Sequence, residues 1–304
     1  MSILEEKIDE QGIKNYEKAG EISKEALDFA CKMVKPDAKL YEIAEKTENF
    51  IREKQAELAF PVNISVNNQA AHFTPNEKDE IAFGEKDVVK IDVGAHVLGY
   101  IGDNARTVDL SQENSKLVEA SLEALNEAIS IARAGTNTEK ISEAIENKIN
   151  SFGFKPVRNL SGHLLDQYEL HTGYSVSNIK MRGFELEEDM HIAIEPFATT
   201  GEGFVKEQAR TEIFSHEGNV LTRNLVARKV LSFAEENYST LPFAERWLAK
   251  SFASSFQLKI ALRELVSQGA FKAYPILSDV KDSLVSQAEH TIRITKDSCE
   301  ILTK

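Results

Sequence analysis

Two aspartates, Asp92 and Asp103, lie in the segment KIDVGAHVLGYIGDNARTV (residues 90–108), where apolar runs flank His96, Val97, Leu98 and Gly99. That pattern predicts a β-hairpin closed by a four-residue turn. A turn centred there sets Asp92 directly opposite Asp103 on one face, with Cβ atoms about 4.5–5.5 Å apart. Two carboxylates so placed repel each other and are costly to desolvate, so they need a positive partner. On these residues alone two partners stay open. One is the guanidinium of Arg106. The other is a divalent cation, and two cations about 3.5–4 Å apart would match a bridging carboxylate. Three more groups sit in apolar or glycine-rich context: His163 after NLSG, Glu195 at the end of HIAIE, and Glu289 in QAEHTIRI. Each alone has an ordinary reading as a turn histidine or a strand-edge carboxylate. Taken together, in the chain order Asp, Asp, His, Glu, Glu, they point to a metal site.

The elements that must position these groups are legible in outline. Residues 4–34 carry Ile8, Ile13, Ala19, Ile22, Ala26, Phe29 and Ala30 at helical spacing, and Pro36 ends the stretch. A second helix follows with Tyr41, Ala44, Phe50 and Ile51 as its stripe. Residues 59–74 read as extended and irregular, and VVKIDVG (88–94) as a buried strand. A helix over about 113–134 has Leu117, Leu125, Ile129 and Ala132 inward and Gly135 as its stop. The next helix opens with a capping box from Thr136 to Glu139, carries Ile141, Ala144, Ile145 and Ile149, and stops at Gly153. Short strands surround residues 159–163 and 191–195. From 222 to 268 the chain reads as almost continuous helix, and TIRIT (291–295) as a strand. The sum is an α+β body, residues 1–205 and 270–304, interrupted by a helical insertion at 206–269.

The 304 residues are 42% hydrophobic and 28% charged, enough to bury a sizeable core in one large domain or two smaller ones. A net charge of -13 argues against nucleic acid as the main ligand. Cys31 and Cys299 form no CxxC pair, which argues against a disulfide framework or thiolate zinc site, and both read as small buried apolar residues. The segment MSILEEKIDEQG has no apolar h-region, and no run approaches the roughly 20 apolar residues of a membrane span. The expectation is a cytoplasmic protein with no membrane partner.

The segments AFPVNISVNNQAAHFTP (59–75), KIDVGAH (90–96), NLSGH (159–163), AIEPFAT (193–199) and QAEHTI (287–292) resemble type II methionine aminopeptidases in their archaeal form. So does TLPFAERWL (240–248) inside the insertion, the feature that separates type II from type I. Residues 204–219 match less well. The resemblance implies a pseudo-twofold "pita-bread" α/β fold, a curved antiparallel sheet covered by helices, with a helical, winged-helix-like insertion. It implies two divalent ions, with Asp92 chelating one, His163 and Glu195 holding the other, and Asp103 and Glu289 bridging both. Oxygen-rich ligation with one imidazole suits Mn²⁺, Fe²⁺ or Co²⁺, with zinc tolerated. It further implies that His72 contacts the scissile amide, that His171 hydrogen-bonds the substrate carbonyl, and that Glu195 shuttles the proton. Phe60, Phe197 and Tyr274 would wall a methionine slot, with Leu170 near the following position. The activity implied is removal of the N-terminal methionine from nascent polypeptides with a small second residue, by attack of a metal-activated hydroxide on the methionine carbonyl. The expected enzyme is a monomer with, at most, transient ribosome contact. His96, His191, His216 and His290 are left unassigned; His290 adjoins Glu289 but belongs to the opposite strand face. Two rivals remain. X-Pro aminopeptidases and prolidases share the ligand order but lack the TLPFAERWL insertion, and non-catalytic relatives of the fold have lost ligands that this chain keeps.

Overall fold

The structure, a computed structural model, describes residues 8–304. In chain order it runs α1 (Glu10–Met33), α2 (Leu40–Glu53), β1 (Glu57–Leu58), β2 (Asn63–Val66), β3 (Gln69–Ala71), β4 (Val88–Val97), β5 (Tyr100–Asp109), α3 (Ser115–Ile131) and α4 (Thr138–Ser151). Then follow β6 (Lys155–Pro156), β7 (Ser161–Leu165), β8 (Ser175–Ser177), β9 (His191–Ile194), β10 (Phe197–Thr199) and β11 (Lys206–His216). The chain continues as α5 (Leu225–Tyr238), β12 (Phe243–Ala244), α6 (Glu245–Ala249), α7 (Ser255–Ser267), β13 (Phe271–Ser278), β14 (Val285–Ile294) and β15 (Cys299–Ile301). This is a mixed α/β fold built on antiparallel sheets. The larger sheet has the order β1-β4-β5-β14-β9-β7-β8, with β2 on β4 and with β10 and β15 on β14. A second sheet has the order β12-β11-β13-β3.

Helix α1 begins where the Asp9 carboxylate accepts from the Gly12 amide at 2.7 Å. Residues 4–7 of the expected helix lie outside the described residues. Its buried stripe (Tyr16, Ala19, Ile22, Ala26, Ala30) packs on β4 and β5. The approach is close: a Cβ on Gly102 would lie 2.6 Å from the Gly20 backbone. Helices α3 and α4 cover the other half of the sheet, sealing Leu117, Ala124, Leu125, Ile141 and Ile145 against Ile192, Ile194 and Ile292.

Three expectations are corrected. The hairpin closes on the two residues Leu98 and Gly99, both left-handed (φ 54° and 89°), not on a four-residue turn. The register therefore moves by two: Asp92 pairs with Ala105, and Asp103 with Gly94. The capping box at α4 is replaced by Asn137, whose side chain accepts from the Glu139 amide at 2.9 Å, while Thr136 Oγ1 donates to the Ile131 carbonyl. The two cysteines are free and only partly buried.

Residues 222–268 are helical but broken between α5 and α6, where β12 pairs with β11. The apolar residues of α5–α7, among them Val230, Phe243, Leu258 and Leu262, share one core with Ile22, Leu27, Ile43 and Ile91 of α1, α2 and β4. They do not form a core of their own. No described helix is long and apolar enough to cross a membrane.

Candidate metal centre

Strand parity puts the acidic groups on one face. Asp92 on β4, Asp103 on β5 and Glu289 on β14 share the side of the sheet away from α1, and a register shift of two preserves that side. His163 comes from β7, and Glu195 directly follows β9. Ligand atoms of Asp103, His163 and Glu289 all lie within 4.8 Å of one another. His163 Nε2 is 3.7 Å from Asp103 Oδ2 and 3.8 Å from Glu195 Oε1. Asp92 joins the group through Gln287, whose amide nitrogen stands 3.4 Å from Asp92 Oδ2, 3.3 Å from Glu195 Oε2 and 3.2 Å from Glu289 Oε2.

Arg106, the alternative partner for the aspartates, is turned to the opposite face and donates to Asp28 on α1 at 2.8 Å. Lys90, fully buried on β4, donates to the Asn67 carbonyl at 2.8 Å instead. Among the described residues no lysine or arginine pairs with any of the four acids. Their state without a cation follows. Burial lifts Asp92 from 3.8 to about 7, against the opposing pull of the Gln287 hydrogen bond. Burial first, and then the neighbouring acids, raise Asp103, Glu195 and Glu289 well above the carboxylate range. Burial also lowers His163 to about 4, so its ring is neutral and able to ligate. Asp92 Oδ1, Asp103 Oδ1 and Glu289 Oε1 are buried without a hydrogen-bond partner. Orphaned carboxylate oxygens around a neutral imidazole are the complement of a hard or borderline divalent cation, so the donor set fits such an ion.

A cavity of about 410 Å³ opens over these groups, and each of the eleven site residues expected from the sequence lines it. Phe60 reaches the wall because Gly94 leaves room: a Cβ there would lie 2.2 Å from the Phe60 ring. Phe197 is fully buried, and Leu170 nearly so. His72 follows β3 with a left-handed backbone (φ 65°), unusual for a residue bearing a side chain. Its Nδ1 donates to the Pro275 carbonyl at 3.2 Å, which fixes the tautomer and leaves Nε2 as an acceptor. Tyr274 stands edge-on to that ring at 5.5 Å, and its hydroxyl meets Ser215 Oγ at 3.2 Å. His171 has an exposed edge, but its ring lies 4.3 Å from His163. Enclosure, then the His163 and His72 rings and Lys272, holds it far below the usual imidazole value.

The unassigned histidines lie elsewhere. His191 stacks on Tyr16 at 3.6 Å, His96 accepts from the Gly99 amide, and His290 meets Thr303 Oγ1 at 2.9 Å on the far face of β14. His216 packs edge-on to Phe271. Sequence reasoning missed Gln287. Its signal was position: two residues before Glu289, it shares that strand face.

Carboxylates and an imidazole gathered at the floor of a deep cleft, on a sheet covered by helices, define a metal-dependent enzyme. The model of metallopeptidase family M24 matches residues 14–226. The methionine aminopeptidase of Archaeoglobus fulgidus is 47% identical over 287 residues, 94% of this chain and 96% of that protein. Among solved structures, the methionine aminopeptidase of Rickettsia prowazekii superposes with a TM-score of 0.72 at 21% identity over 98% of this chain and 99% of that one. A thermophilic Arx1 superposes with a TM-score of 0.84 at 19% identity, over 97% and 91%. The chain belongs to metallopeptidase family M24, within it to the methionine aminopeptidases.

Proposed function

We propose that this chain removes the N-terminal methionine of newly made polypeptides, with two divalent ions (Co, Mn, Fe(II) or Zn) and a preference for a small second residue. The observation that carries the reading is the set of orphaned carboxylate oxygens under a cavity walled by Phe60, Phe197 and Tyr274. Asp92, Asp103, His163, Glu195 and Glu289 would hold the ions. The ions would lower the pKa of a water molecule so that it becomes a nucleophile near neutral pH. The apolar walls receive the methionine side chain and exclude bulk water from the reacting bond. Glu195 takes the proton of the attacking water and passes it to the departing amide nitrogen. His171, neutral, donates to the carbonyl oxygen as negative charge develops there, a role worth about 2.7–4 kcal/mol per donor in comparable sites. His72 steadies the scissile amide with the nitrogen that Pro275 leaves free. His72 and His171 share the cavity lining with those walls, and the proposed small second residue is one that fits beside them.

The test compares Met-Ala-Ser with Ala-Pro peptides, before and after chelation and after return of each ion. Methionine release that vanishes on chelation, with Ala-Pro left whole, is expected. No release with any of the four ions, or faster cleavage of Ala-Pro, would overturn the reading.

A further inference from the structure

Arg246 belongs to TLPFAERWL, a stretch the proposed chemistry leaves unused. Its side chain and that of Glu48 are both buried, the latter completely. Arg246 Nη2 donates to Glu48 Oε1. Its Nη1 donates to Thr74 Oγ1 at 2.7 Å and to the Pro75 carbonyl at 3.2 Å. Glu48 also accepts from Trp247 Nε1 at 2.8 Å and from the Val62 amide at 3.3 Å. Thr74 Oγ1 closes the circuit by donating to the Val62 carbonyl at 2.8 Å.

Arg246, whose Nε also stands 3.4 Å from Glu45 Oε1 on α2, thus joins with Glu48 to fasten α2, α6 and two stretches of irregular chain. Those two stretches are the walls of the cleft: Phe60 and Asn63 flank Val62, and His72 lies two residues before Thr74. A buried ion pair is a poor device for stability alone, since apolar replacements are often neutral or better. A left-handed histidine, in turn, persists only where its surroundings over-determine it. Each fact supplies what the other lacks. The guanidinium grips the chain just after the strained residue, and the carboxylate grips the facing wall.

We infer that Arg246 and Glu48 are positioning residues that hold the 72–75 segment so that His72 presents its ring to the cleft. This rests on the peptidase reading for its kinetic test, and a second readout stands free of it. The enzyme, Arg246→Gln, Thr74→Val, His72→Ala and the two double variants with His72→Ala are compared for kcat, KM and metal content on Met-Ala-Ser. Misplacement of about 1 Å costs about 10²-fold, so Arg246→Gln should lose turnover on that scale while KM and bound metal hold. Arg246→Lys should regain part of it. In the His72→Ala background neither Arg246→Gln nor Thr74→Val should add a further loss. Equal losses in both backgrounds, or loss of metal, would overturn the inference. If Arg246→Gln fails to fold, Thr74→Val keeps the ion pair and carries the same comparison. Independently, the NMR signals of the His72 ring should shift in Thr74→Val. If they do not move, the inference fails even in a protein that cleaves no peptide.

Discussion

Removal of the metal should invert the usual effect of pH on stability, and the arithmetic can be done on Asp92. Its carboxyl rises from 3.8 to about 7 in the metal-free fold because it is buried. The folded state then holds that proton more tightly than the unfolded chain does. Stability from this source is fully present below the unfolded value and drains away as pH climbs through the folded one, here between about pH 4 and pH 7. At about 1.36 kcal/mol per unit, a shift of about three units gives a ceiling of about 4 kcal/mol from Asp92, lowered by its partial exposure. Asp103, Glu195 and Glu289 shift in the same direction and steepen the decline. Buried histidines, held neutral and lowered to about 4 at His72 and His163, pull the other way below about pH 6.5. The assay is therefore urea denaturation of chelated protein from about pH 6.5 to about pH 8.5, repeated with saturating Mn²⁺. In that window chelated protein should weaken with rising pH, and the cation should abolish that slope. Chelated protein equally stable or more stable at about pH 8.5 than at about pH 6.5 would refute the claim that these acids are jointly desolvated.

Further expectations can be checked directly. Asp103→Ala and Glu289→Ala should lose metal and methionine release together, by mass spectrometry and peptide assay, whereas His171→Ala should keep its metal and lose about 10²–10³ in kcat. Gly94→Ala places a Cβ 2.2 Å from the Phe60 ring. The displaced ring should destabilise the fold by about 1–3 kcal/mol and raise KM for methionyl peptides. Asn137→Ala should cost about 1 kcal/mol in thermal unfolding through loss of the α4 cap. Thr136→Ala should cost less, since Thr136 does not cap that helix.

How far the site was legible depended on what each residue required. Asp92 and Asp103 could be placed on one face because parity survives any even slip. Their direct opposition was misjudged because Leu98-Gly99 lacks the Asn-Gly or Asp-Gly signature of a two-residue turn. The same parity sets Arg106, three residues after Asp103 on one strand, on the opposite face, a signal the sequence carried and the pairing argument did not use. The convergence of Phe60, His72, Leu170, His171, Phe197 and Tyr274 was not readable from periodicity at all. Those residues meet through long-range packing of irregular chain, and only the likeness to a family suggested them. The capping of α4 was lost to a neighbour: Thr136 and Asn137 both suit the role, and backbone geometry chose the second.

Strand β14 lies between β5 and β9 and carries both Gln287 and Glu289. It is the seam where the two flanks of the larger sheet are stitched together, yet it is among the last segments of the chain. A copy truncated before residue 285 would have two unjoined flaps, bare strand edges and an incomplete ion cradle. On the proposed ligand set, joining the two flanks and completing the ion cradle would be the same event.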